Sequence, residues 1–180
     1  MPDTIFTIGH SNVAADELFA RLQANGIARL ADVRAHPGSR RHPQFGRDAL
    51  AASCATRGLA YRWMPELGGR RRGAGDASPH VAWQVPAFRA YADYTDTAEF
   101  AAALAALEAW AREAPTAYLC AEALWWQCHR RIISDQLVLR GWDVLHVLPS
   151  HATEAHRLPD FARRDGERLV YDVGVTPRLV

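Results

Sequence analysis

Short apolar, β-branched runs alternate with segments of helical spacing along most of this 180-residue chain, and that alternation restricts the fold more than any other feature. Thr4 to Ile8 reads as a strand that stops at Gly9-His10-Ser11. Asp16 to Asn25 carries Leu18, Phe19 and Leu22 at helical spacing and ends at Asn25-Gly26. A second strand, Ile27 to Val33, ends in Asp32-Val33-Arg34 before Pro37-Gly38-Ser39 forces a loop. Arg47 to Arg57 reads as helix, Leu59 to Met64 as strand, and Phe88 to Tyr94 and Thr97 to Arg112 as helices. Ala117 to Cys120, Arg130 to Arg140 and Val144 to Leu148 add a strand, a helix and a strand, and Leu169 to Val173 reads as a further edge strand. Strands that alternate with helices are joined by crossovers, which makes them parallel and covers the sheet on both faces. The expected fold is one α/β domain over residues 1–180, a mostly parallel sheet of about five strands with helices on both faces. This is a three-layer, Rossmann-like arrangement, with 149–180 as a C-terminal extension packing on the domain edge.

A chain of this length buries about 70% of its unfolded surface, so the core needs no metal or disulfide staple. The 21 basic and 20 acidic residues leave a net charge of +1. Without a global field, nucleic acid is not a favoured partner, and anion binding has to be local. All the basic residues are arginine. The missing lysine excludes a lysine Schiff base, the cofactor-bound lysine of pyridoxal phosphate enzymes and a P-loop lysine. An acidic N-terminus with only a short apolar stretch does not read as a signal peptide, and no apolar run approaches the roughly 18 residues of a membrane span. The three cysteines, Cys54, Cys120 and Cys128, form an odd set without a disulfide-framework spacing. Free thiols and a cytoplasmic location are expected, with no membrane partner.

Ligand crevices in parallel sheets lie outside the carboxyl ends of the strands. Polar residues cluster there: His10 and Ser11, Asp32 and Arg34, Cys120 and Glu122. In Cys120-Ala-Glu122-Ala-Leu-Trp-Trp-Gln-Cys128-His129-Arg130, the second thiol falls at a helix start. Unsatisfied N–H groups and the neighbouring histidine and arginine favour its thiolate there. Cys120 closes a buried strand, where packing is the ordinary role of a cysteine. Glu122 has the chemistry of a general base or nucleophile, or of an ion-pair partner for Arg34 or Arg130. Arg34 and Arg130 carry planar forks suited to carboxylate or phosphate, and Asp32 is expected to orient an arginine or a histidine. His10 fits a general base, a metal ligand or a structural donor, while Trp126 and its neighbour Trp125 suit a pocket wall or the core. The run Arg70-Arg71-Arg72 between glycines reads as a solvated, mobile loop. A metal set drawn from Cys120, Cys128, His129 and His10 lacks the close pairing of structural zinc sites, and no residue is assigned to a metal. The GxGxxG, Walker, HExxH and GxSxG motifs are absent.

Several elements occur in one order: Thr7-Ile8-Gly9-His10-Ser11, Asp32-Val33-Arg34 with Pro37 and Ser39, Phe45, and Tyr61 through Leu67-Gly68-Gly69. They continue with Phe88, Tyr91-Ala92-Asp93-Tyr94, Thr97, Phe100, Leu119-Cys120-Ala121-Glu122, Cys128-His129-Arg130 and His146. This series, from residue 4 to about residue 148, resembles the domain-of-unknown-function 488 family of small bacterial and archaeal cytoplasmic proteins. The resemblance implies a single α/β domain and supplies no reaction. The loop between Glu122 and Cys128 is more aromatic than the family pattern. A fainter likeness is to rhodanese domains, whose tight anion-cradling loop is interrupted here by Glu122, Trp125 and Trp126.

The reading that follows is an enzyme, a hydrolase or transferase, acting on an anionic small-molecule or nucleotide-like substrate. Glu122, Cys128, His10 and Cys120 are the catalytic candidates. Ser11, Asp32, Arg34, His129, Arg130 and Trp126 are the substrate-binding candidates. The alternatives are a non-catalytic nucleotide or nucleic-acid binding module and a metal-binding or thiol redox protein. No cofactor or oligomeric state is legible.

Overall fold

The apolar runs bounded by Asn, Gly and Pro fold as strands and the stretches of helical spacing as helices, in a computed structural model that describes residues 3–38 and 40–175. Ser39, in the loop after the second strand, lies outside the described residues. In chain order the elements begin with β1 (Thr4–Gly9), α1 (Ala15–Ala24), β2 (Arg29–Asp32), α2 (Arg47–Thr56) and β3 (Ala60–Trp63). Next come α3 (Pro86–Thr95), α4 (Ala98–Ala111), β4 (Thr116–Cys120), α5 (Arg130–Leu139) and β5 (Asp143–Val147). Three short strands follow, β6 (Thr153–Ala155), β7 (Ala162–Asp165) and β8 (Arg168–Tyr171). Local chemistry sets the boundaries. The Thr97 hydroxyl accepts the Phe100 N–H at 3.2 Å and so opens α4. Gly141, at φ +89°, turns the chain out of α5 in the left-handed conformation that glycine adopts freely.

The strands form a six-stranded sheet in the order β3-β2-β4-β1-β5-β6. Every pairing is parallel except that of β5 with β6. Side chains alternate across it, as the two-residue period of a strand requires. Ala117 and Leu119 of β4 join a core with Leu18 and Leu22 of α1 and Leu50 of α2. Tyr118 and Cys120 point the other way, into a core with Tyr91 of α3, Leu104 of α4 and Ile132 of α5. The sheet is thus covered on both faces, the three-layer α/β arrangement expected from the alternation.

Two outer elements differ from expectation. The sheet edge is β6, whose Thr-Glu-Ala is exposed throughout and so has no apolar alternation to betray it. The expected edge strand at Leu169 to Val173 is instead β8, paired only with β7 in a separate antiparallel ribbon. Leu169 and Tyr171 carry that ribbon into the core on the α3–α5 side. Its partner β7 reads Ala-Arg-Arg-Asp, a charged run with no strand signal.

Candidate active site

The strand order places the site. From β1 the chain moves by way of α1 to β2, on one side of β4; from β4 it moves by way of α5 to β5, on the other side of β1. The neighbouring strands β1 and β4 therefore send their connections apart over opposite faces. A crevice opens outside their carboxyl ends, the topological switch point where α/β folds bind ligands. Gly9 and Cys120 are register partners at that edge.

The two departing loops are tied before they separate. His10 N–H donates to the Cys120 carbonyl at 3.0 Å and Ser11 N–H to that of Ala121 at 2.7 Å. A Cβ on Gly9 would lie 1.7 Å from the Glu122 carbonyl oxygen, so no other residue lets the β4–α5 loop cross β1 this closely. Arg130 fastens the crossing from behind. It is 1% exposed and donates to Thr7 Oγ1 at 2.9 Å and to the Glu122 carbonyl at 2.5 Å. Its Nε has no partner, and no carboxylate pairs with it among the described residues. An uncompensated guanidinium is thus buried behind the crevice, where its field favours an anion.

In front of it Cys120 and Cys128, both buried, meet the ring of His129. His129 Nδ1 lies 3.8 Å from Cys120 Sγ and 3.6 Å from Cys128 Sγ, and the three atoms lie within 4.8 Å of one another. Gly69 packs on that ring, where a Cβ would come within 2.6 Å of Nδ1, and Tyr91 tilts against it at 5.1 Å between centroids. Burial pushes the Cys128 thiol up, but the Cys120 hydrogen bond and the charges of His129 and Arg130 outweigh it and hold Cys128 well below the usual thiol range. The hydrogen bond with Cys128 and burial hold Cys120 well above it.

The centre forms part of the wall of an open cavity of about 640 Å³, bordered also by Arg34, His36, Arg70, Phe88 and Glu122. Glu122 is exposed on the rim, not desolvated in the crevice. Arg34 borders the cavity, but most of its fork is occupied. Nε and Nη2 donate to Asp32 at 2.8 and 2.6 Å, and Nη1 donates to His10 Nε2 at 3.1 Å. Asp32 is fully buried and also accepts the Tyr61 hydroxyl at 2.7 Å.

Of the other residues singled out in the sequence, His10 lies behind Arg34. Its Nδ1–H donates to the Ser11 carbonyl at 2.7 Å and its ring stacks on Phe45 at 4.3 Å. Burial, opposed by the Ser11 bond and aided by Arg34, lowers its pKa to about 4. A neutral ring held at both nitrogens is a structural donor and acceptor. Ser11, at φ +50°, and Trp126, 42% exposed, stand outside the cavity lining. Arg71 is no solvated arginine. It donates to the carbonyls of Gly68, Pro65 and Glu66 and lies over the Tyr94 ring at 3.8 Å, leaving Arg70 and Arg72 exposed.

Sequence reasoning missed a buried chain beside the site. The Tyr171 hydroxyl donates to Asp135 at 2.8 Å, Asp135 meets His156 Nε2 at 2.7 Å, and His156 Nδ1 meets His146 Nε2 at 2.9 Å. Trp125 lies flat on His146 at 4.1 Å and fixes the aromatic loop. The two histidines stand singly in the sequence, and His146 entered only as the last member of the series that carries the family resemblance.

Fold and site together define a three-layer α/β protein with a sulfur–imidazole centre at its switch point. The chain belongs to the family described as Domain of unknown function DUF488, whose model matches residues 14–137. No curated protein and no solved structure matches it. No helix among the described residues is long and apolar enough to cross a membrane.

Proposed function

We propose that the protein is an enzyme acting on a small anionic molecule whose reacting group is placed at the Cys120–Cys128–His129 centre. The observation that carries this reading is the convergence of two buried thiols and an imidazole at the wall of a 640 Å³ cavity, in front of the uncompensated Arg130. Arg70 on the rim, without a partner among the described residues, supplies a fork for the substrate's anionic group, and Arg130 supplies the field behind the reacting atoms. Arg34, tied to Asp32 and His10, shapes the wall. In the metal-free protein the Cys128 sulfur is the nucleophile, and Glu122 on the rim is the group that moves a proton between the site and water.

The test is thermal unfolding with a panel of small phosphates and carboxylates, followed by turnover assays on those that bind. A ligand at about 100 times its Kd adds about 2.7 kcal/mol of stability. We expect Arg70→Gln to weaken that gain, and Cys128→Ser and Glu122→Gln to keep binding but lose turnover. Either no stabilisation by any member of the panel or full turnover in Cys128→Ser overturns the reading.

A further inference from the structure

The Cys120–Cys128–His129 centre has the dimensions of an open metal site. With metal–sulfur and metal–nitrogen distances of about 2.3 and 2.0–2.1 Å, a tetrahedral ion separates its sulfur and nitrogen ligands by about 3.6 Å. His129 Nδ1 stands 3.6 Å from Cys128 Sγ and 3.8 Å from Cys120 Sγ. Both nitrogen–sulfur separations therefore already suit such an ion, and the three donor atoms lie within 4.8 Å of one another. The imidazole has no competing work: among the described residues Nε2 is buried without a partner and Nδ1 has the two sulfurs as its hydrogen-bond contacts.

The donors are also held. Cys120 closes β4, Cys128 and His129 open α5, and Gly69 and Tyr91 fix the plane of the ring between them. This explains why sequence spacing does not reveal the site. The ligands come from a strand end and a helix start, not from the close cysteine pair of a zinc knuckle. His10, the fourth donor suggested by the sequence, is engaged at both nitrogens by Ser11 and Arg34.

We infer that Cys120, Cys128 and His129 bind one zinc-class divalent ion, leaving a coordination position open to the cavity for water or an oxygen of the anionic substrate. Two thiolates and an imidazole select a soft or borderline ion over magnesium or calcium. Three protein ligands with an open fourth position are the pattern of catalytic sites; structural sites close all four. Two thiolates and a divalent ion sum to no net charge, so the Arg130 field stays available to an anion. The inference rests on the proposed active centre. It makes the sulfurs ligands in the loaded protein and nucleophile only in the metal-free one.

Cobalt(II) alone, titrated into chelator-treated full-length protein, tests it. We expect one equivalent to bind with tetrahedral visible bands and a sulfur-to-cobalt charge-transfer band, both erased by zinc. Cys128→Ser and His129→Ala should each weaken binding by more than about 100-fold, beyond the cost of losing an outer partner. Cys54→Ala, on the opposite face of the sheet, should bind as wild type, and circular dichroism identifies any variant that fails to fold. Absence of the charge-transfer band in wild type, or its appearance at wild-type affinity in Cys128→Ser, overturns the inference. If cobalt fails to bind while anions stabilise the protein and Cys128→Ser loses turnover, the metal site falls and the enzyme reading stands. If cobalt binds as described and no anion binds either form, the metal site stands and the enzyme reading falls.

Discussion

Asp32→Asn is the substitution that decides whether Arg34 serves the fold or the substrate. The Asp32 carboxylate is 0% exposed and accepts from Arg34 Nε at 2.8 Å, Arg34 Nη2 at 2.6 Å, the Arg34 backbone N–H at 3.1 Å and the Tyr61 hydroxyl at 2.7 Å. Asparagine keeps the shape but removes the charge, and one of its two positions turns from acceptor to donor, facing another donor. Arg34, only 8% exposed, is then left without a counter-ion for its guanidinium. Breaking a buried pair by removing one partner costs about 3–5 kcal/mol, a large share of the roughly 5–15 kcal/mol that holds a domain together. Tyr61→Phe removes one hydrogen bond to the same charged acceptor and should cost about 1.5–3 kcal/mol. Asp32→Leu with Arg34→Met removes both charges and should recover part of the single-variant loss. Urea unfolding followed by tryptophan fluorescence gives all three values, with the urea slope unchanged if only stability moves. An Asp32→Asn protein within about 1 kcal/mol of wild type would refute the reasoning, and would mean that the Arg34 fork is free for a ligand.

Two other outcomes follow from the geometry. Gly9→Ala puts a methyl group against the Glu122 carbonyl, a backbone atom that cannot step aside. We expect a loss of at least about 2–3 kcal/mol in urea unfolding, together with weaker cobalt binding, because the β4–α5 loop carries Cys128; wild-type values for both would refute the close crossing. His10 supplies one pH dependence: its pKa falls from 6.5 in the unfolded chain to about 4 in the fold, mainly through burial. The unfolded chain therefore takes up a proton that the native protein refuses. That contribution is complete above pH 6.5 and is lost as pH falls towards 4, amounting to about 3 kcal/mol. The stability gap between wild type and His10→Asn should shrink by that amount over the window, and a pH-independent gap would sink the assignment.

Most helices and strands were legible because their apolar positions keep one period and end at Asn, Gly or Pro. β6 and β7 were not. A three-residue exposed edge and an Arg-Arg pair carry no alternation, and only a neighbouring strand makes them strands. The candidate site was legible as a set of strand ends, and the fold brings three of the residues named for it together, Cys120, Cys128 and His129. Which way each polar group faces was not legible. Arg34 sits two residues after an aspartate, and nothing local tells whether its fork turns back to that carboxylate or out to a ligand. Arg71 differs from Arg70 and Arg72 only by the carbonyls and the Tyr94 ring beneath it. Those partners lie in the chain's tertiary folding, beyond any window of sequence.

The place of β4 between β1 and β2 also bears on how the molecule is made. A ribosome delivers β1 and β2 long before β4, the strand that stands between them in the folded sheet. Until residues 116–120 emerge, both strands carry an open edge, and the apolar inner faces of α1 and α2 have half a sheet to cover. The strand that closes this gap brings Cys120 with it. The gap in the sheet is therefore closed and the first residue of the reactive centre delivered together, while Cys128, His129, β5 and β6 are still to come.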